Sequence, residues 1–236
     1  VRGILRPLQA ACASACAVLA PVASAGIIAN SVQVVDPFFN AVDVPIGPGD
    51  TNVGPDLGIF AISSSTTGSS LLVNGGSTLA AGRLVTASTA SEPPAQVVVS
   101  GSGSSIELLE VQQKPTGFSA VDLASQGFGN LTISGGGRVG FSPSAAPCTN
   151  TLVFSAGPLC FVANFTNGAG STASVTVTGA GSVLDLNPEH LDPATFHVTG
   201  IGRANVQSTG FGTPGGDSTA TVSILNGGTF ETDSLA

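Results

Sequence analysis

One short unit recurs along this chain: LLVNGGSTLAAG from Leu71, LTISGGGRVGFS from Leu131, VTVTGAGSVLDL from Val175 and VSILNGGTFETD from Val222. Each copy is an alternating apolar stretch, a glycine-rich bend and a second short stretch. The apolar residues flanking the bend pair as Val73/Leu79, Ile133/Val139, Val177/Val183 and Ile224/Phe230, six positions apart in each copy. A looser copy, VVVSGSGSSIEL, sets Val99 and Ile106 seven apart, with one extra serine. Strand geometry gives the pattern its meaning, because side chains alternate faces along a strand. Val175 and Val177 point one way, Thr176 and Thr178 the other; Leu131 and Ile133 oppose Thr132 and Ser134. Glycines let the backbone take positive φ and turn a corner, after which Val139 or Val183 re-enters the core.

The linking stretches follow the same logic. AVDLASQGFGNLTISGG and FHVTGIGRANVQS each alternate, bend at glycines and resume. The anchors Val73, Val99, Ile133, Val177 and Ile224 are 26, 34, 44 and 47 positions apart. A stack of coils tolerates such irregular insertions because each repeat contacts only its neighbours. The expected fold is all-β, a right-handed parallel β-helix (β-solenoid) over 70–236. An antiparallel sandwich, also built from short alternating strands, stays open as the alternative. Residues 26–69 carry Pro37, Pro45, Pro48 and Pro55 and read as an irregular extension or cap, with strands near Ile27–Val35 and Gly58–Ser63.

Residues 1–25 have the form of a secretory signal peptide with a signal helix. Arg2 and Arg6 precede an apolar run from Leu8 to Ala20, and Ala23-Ser24-Ala25 follows. Cleavage is expected between Ala25 and Gly26, and the apolar run is shorter than the ~20 residues a membrane span needs. No transmembrane helix is expected in the mature chain. Cys12 and Cys16 lie within this leader, and neither has the leucine three positions ahead that lipid attachment favours. That leaves Cys148 and Cys160 in an exported chain, an even pair that invites a disulfide; two free thiols are the alternative. The chain begins with Val and contains no Met. It stops at ETDSLA just after a bend, which leaves an open coil and suggests an incomplete C-terminus.

Charge narrows the function. The formal net charge is −8, and the chain holds six basic residues against fourteen acidic ones. No basic patch or stripe is present, which argues against nucleic acid and against anionic lipid.

SVTVTGAGSVLDL and GNLTISGGGRVGFS resemble the glycine-rich repeats of bacterial autotransporter (type V secretion) passenger domains and PEP-CTERM-associated surface proteins. Val177-Thr178-Gly179-Ala180-Gly181-Ser182 is similar to the T-G-x-G-S half of those repeats, and Leu131 to Val139 and Val222 to Phe230 to the L-x-I-x-x-G-G-x-V half. The resemblance implies an exported right-handed β-helix at the outer surface, with no catalytic residues to transfer. Neither a translocator barrel nor a PEP sorting tail is in the sequence given.

Few residues suggest chemistry. NPEHLDP offers Glu189, His190 and Asp192, with Asp185 just before and His197 just after. It reads as a polar excursion between coils, since no zinc-ligand spacing fits. Gly215, Gly216 and Asp217 lack the tandem spacing of a calcium-binding repeat. Paired carboxylates for glycoside cleavage would come from Asp185, Glu189, Asp192, Glu107 and Glu110, but the aligned repeats put none of them in register on adjacent coils. The rows Thr132/Ser134, Thr176/Thr178 and Thr221/Ser223 could bind ordered water or sugar; solubility and β-propensity explain them more simply. No catalytic, cofactor or metal site is expected. The expected function is an exported structural or adhesive surface protein, not an enzyme. Its partners would be extracellular polysaccharide, matrix or another cell surface. A secreted carbohydrate-active β-helix is the alternative.

Overall fold

The computed structural model describes residues 26–36, 40–62, 68–87, 93–110, 120–124, 127–146, 163–164, 170–186, 196–199, 202–206 and 219–232. The expected signal helix, Cys148 and Cys160 lie outside them. Among the described residues there is no helix; the fold is all-β with parallel sheets.

The chain opens with β1 (Gly26–Asn30), β2 (Val32–Val35) and β3 (Ala41–Val42), then β4 (Thr51–Asn52) and β5 (Gly58–Ile62). A first full circuit comprises β6 (Ser70–Asn74), β7 (Thr78–Ala81) and β8 (Arg83–Ala87). A second is β9 (Ala95–Ser100), β10 (Ser105–Glu110) and β11 (Val121–Asp122), and a third β12 (Phe128–Ser134), β13 (Arg138–Ala146) and β14 (Ala163–Asn164). The fourth has β15 (Thr172–Thr178) and β16 (Val183–Asp185). After β17 (Phe196–Thr199) and β18 (Gly202–Val206) comes the fifth, β19 (Thr219–Leu225) and β20 (Thr229–Thr232).

Each circuit adds one strand to each sheet it visits. In the first sheet β6, β9, β12, β15 and β19 pair in parallel; in the second β4, β7, β10, β13, β16 and β20; in the third β5, β8, β11 and β14. Alternation then forces like residues into columns. Leu71, Val97, Leu131, Val175 and Val222 stand in one column, and Val73, Val99, Ile133, Val177 and Ile224 in the next. The second sheet answers with Leu79, Ile106, Val139, Leu184 and Phe230. All of these are buried in one core, together with Ile59, Leu84 and Val121 of the third sheet. On the far face of that third sheet Val35, Phe60 and Val85 form a separate buried cluster. The Arg83 guanidinium stands 5.8 Å from the Phe60 ring centre, within cation–π range.

One expected anchor is corrected. Val183 does not enter the core; Leu184, fully buried, takes the position that Val139 holds one circuit earlier. The spacing across the five bends therefore alternates six, seven, six, seven, six: Val73/Leu79, Val99/Ile106, Ile133/Val139, Val177/Leu184, Ile224/Phe230. In the shorter bends two consecutive residues are left-handed, as at Gly135 and Gly136 with φ of 60° and 88°. In the longer ones the left-handed residues are separated, as at Gly179 and Gly181 with φ of 91° and 77°.

A buried serine is the last residue of each longer bend, just before the outgoing strand. Ser182 Oγ donates to the Thr178 carbonyl at 2.7 Å and accepts from the Gly136 N–H of the preceding circuit at 3.0 Å. Ser104 repeats this with the Ser100 carbonyl at 2.8 Å and the Gly76 N–H at 3.0 Å. The hydroxyl thus closes its own bend and ties it to the bend beneath. Ser182→Ala leaves the Gly136 N–H short of an acceptor in a part-buried place. The expected loss is about 1–3 kcal/mol, read from urea unfolding, whereas Ser102→Ala on the exposed side of the neighbouring bend should change stability by less than about 0.5 kcal/mol.

The extension reads as a cap only in part. A left-handed Ser31 (φ 53°) divides the expected Ile27–Val35 strand into β1 and β2. Both strands run antiparallel, β1 on β6 and β2 on β5, whereas β4 and β5 already belong to the parallel stacks. The last circuit is not left open either. β18 covers β19 and β17 covers β20, both antiparallel, so backbone groups that an open coil would expose are paired.

Candidate functional site

Two outward surfaces gather the residues that sequence reasoning singled out. The first is the outer face of the first sheet. Its columns are Ser70, Gln96, Asn130, Ser174, Thr221; then Leu72, Val98, Thr132, Thr176, Ser223; then Asn74, Ser100, Ser134, Thr178, Leu225. No charged residue occurs in these five strands. The hydroxyl rows expected from sequence are thus aligned strand on strand, and parts of them bond to one another. Ser134 Oγ donates to Ser100 Oγ at 3.3 Å, and Asn226 Nδ2 donates to Thr178 Oγ1 at 3.2 Å. The middle column turns apolar toward β1, where Ile28 beside Leu72 is 51% exposed.

The second surface is the outer face of the second sheet. Glu107, Gly140, Asp185 and Glu231 share one column on β10, β13, β16 and β20, and His197 of β17 pairs in register with Glu231. Glu107 and Asp185 are separated by Gly140, so neither is in register with another of the carboxylates named from sequence on an adjacent circuit; the carboxylate beside Asp185 is Glu231. The one-residue misalignment at Val183 had hidden the column. Glu231 is the residue that sequence reasoning missed; its offset from Phe230, equal to that of Asp185 from Leu184, would have found it.

Asp185, named from sequence as a possible catalytic carboxylate, is engaged in an ion pair. Arg138 Nη2 donates to Asp185 Oδ2 at 2.8 Å and to the Phe141 carbonyl at 2.9 Å. The Asp185 side chain is 10% exposed and that of Arg138 31%. Gly140 makes room for the pair, because a Cβ there would lie 2.8 Å from the Asp185 Cβ and 3.1 Å from Arg138 Nη2. Asp185→Ala removes a charge-assisted hydrogen bond and should cost about 1–3 kcal/mol. Chemical denaturation checks this, and Asp185→Asn, which keeps an acceptor, should retain part of the loss.

The remaining candidates are placed less fully. Glu110 ends β10. Gly26 begins β1, and Ala25 before it lies outside the described residues. Glu189, His190, Asp192, Gly215, Gly216 and Asp217 also lie outside them. Among the described residues, no three His, Cys, Asp or Glu gather as metal ligands would, and no helix is long and apolar enough to cross a membrane. Compared with family models, curated proteins and solved structures, the chain matches none.

Proposed function

We propose that the chain is an exported, non-catalytic, right-handed β-solenoid that acts as a structural or adhesive element at the outer bacterial surface. One observation carries the reading: successive circuits stack in parallel register through three sheets over a shared apolar core. Such a stack rises about 4.8 Å per circuit. The engagement of Asp185 with Arg138 supports presentation over catalysis. The lack of charged residues in the five parallel strands of the first sheet supports a neutral partner, such as extracellular polysaccharide, matrix or another cell surface. The repeats' resemblance to autotransporter passengers and PEP-CTERM-associated proteins and the leader at 1–25 agree with export, and export favours pairing of Cys148 with Cys160.

Expression of the full chain in a bacterium tests this. The expected result is an exported product whose mass places its N-terminus at Gly26 and which retains cells or neutral polysaccharide on a surface without cleaving it. An uncleaved chain held in the cytoplasm would contradict the reading.

A carbohydrate-cleaving β-helix is the second reading, and it draws on the column of Asp185, Glu231 and His197. Neighbouring strands lie about 4.8 Å apart, near the ~5 Å carboxyl separation of retaining glycosidases. It predicts activity on a polysaccharide panel that Glu231→Gln abolishes; inactivity of the parent chain across the panel removes it.

A further inference from the structure

β1 and β18 cover opposite ends of the first sheet and are built alike. Both run antiparallel to the strand they cover. Ile27, Ala29 and Asn30 stand opposite Val73, Leu71 and Ser70, while Gly202, Ala204 and Asn205 stand opposite Ile224, Val222 and Thr221. Followed through the parallel register, Val73 and Ile224 belong to one column, Leu71 and Val222 to another, Ser70 and Thr221 to a third. The two strands therefore hold equivalent positions with the same polarity. Their sequences agree as well. Ala29-Asn30-Ser31-Val32-Gln33 matches Ala204-Asn205-Val206-Gln207 once Ser31, the left-handed corner residue, is set aside.

We propose that the edge of β19 is a docking surface for a second copy of this chain, whose β1 takes the place of β18. Among the described residues β1 ends its own sheet, and its outer edge offers a place for a further strand. Its residues suit β19. Ile27, 4% exposed against Val73, would extend the same apolar column, where β18 supplies only Gly202. Asn30 Nδ2 donates to Ser70 Oγ at 3.2 Å, and Thr221 offers a hydroxyl in the same column. The exchange is strand addition at a sheet edge, and it joins copies head to tail with the first sheet continuous through both.

Analytical ultracentrifugation of the full chain tests the exchange. Ala204→Pro with Asn205→Pro removes ladder donors from β18 and should free β19. The expected result is concentration-dependent multimers at a tenfold lower concentration than in the parent, reversed to single chains by adding Ile28→Pro. A folded double variant that sediments as single chains throughout overturns the proposal, as does association that Ile28→Pro leaves intact. Should the prolines unfold the chain, the parent decides. A benzophenone side chain at position 28 should crosslink to residues 219–225 of another copy at high concentration; crosslinks elsewhere, or none, overturn it.

Discussion

Phe141→Ala should lower the unfolding free energy by about 3–5 kcal/mol, enough to remove much of the stability of an ordinary domain. Phe141 is fully buried and lies in the same column as Leu108. It packs in the single core that all three sheets share. Its neighbours are held by backbone ladders on both sides, because β13 pairs with β10 and β16. Strands fixed in that way cannot close over a cavity, so the cost falls toward the upper part of the range. Guanidinium unfolding measures it. The control is Ile28→Ala, which removes a side chain that is 51% exposed and should change stability by less than about 0.5 kcal/mol.

Gly137→Ala is expected to cost about 2–3 kcal/mol, the upper part of the range for overpacking. A Cβ at Gly137 would lie 2.7 Å from the Val99 carbonyl oxygen and 3.0 Å from its carbon. Both atoms belong to the backbone of a core strand in the preceding circuit and have no rotamer by which to yield. Gly228 meets Val177 in the same way, at 2.6 Å and 2.8 Å. The first bend shows why the constraint is one of stacking. Ser77 holds the equivalent position there, and the strand beneath β6 is the reversed β1. Gly170→Ala separates close approach from backbone conformation. Gly170 has a φ of 72°, and no atom lies within 4 Å of the place a Cβ would take, so only the left-handed penalty of about 1–2 kcal/mol applies. Equal losses at the two sites, measured by the same denaturation, would contradict a constraint set by stacking.

The apolar columns were legible in the sequence because two-residue alternation is a local property. Leu131, Ile133, Val175 and Val177 are buried as expected, and Thr132, Ser134, Thr176 and Thr178 are half-buried on the other side. The lengths of the bends were only partly legible. Val183 is β-branched and sits where a six-residue bend would place a core residue. What displaces it is the extra residue of the bend, with left-handed Gly179 and Gly181; the hydrogen bond from Gly136 to Ser182 that accompanies it joins residues 46 apart, and no local pattern reports such a bond. The same displacement concealed the column of Glu107, Asp185 and Glu231.

The parallel direction of the stacked strands was expected from the repeats, but the reversal of the two end strands was not legible. β1 and β18 alternate like the strands they cover, and a reversed strand buries the same side as a parallel one. The ion pair between Arg138 and Asp185 joins residues 47 apart. It arises because Gly140 clears space between their strands, a consequence of register and not of composition.

At the centre of this fold, each circuit adds one strand to a continuous parallel stack. Spin-label distances along a single outward column test that most directly. With the four native cysteines replaced by serine, one label stays at Ser70. The second is moved from Gln96 to Asn130, Ser174 and Thr221, all in the Ser70 column. A continuous stack predicts a separation that grows by about 4.8 Å at each move, reaching roughly 19 Å between the backbones of Ser70 and Thr221. Distances that fail to rise in that order, with Thr221 nearer to Ser70 than Asn130 is, would contradict it.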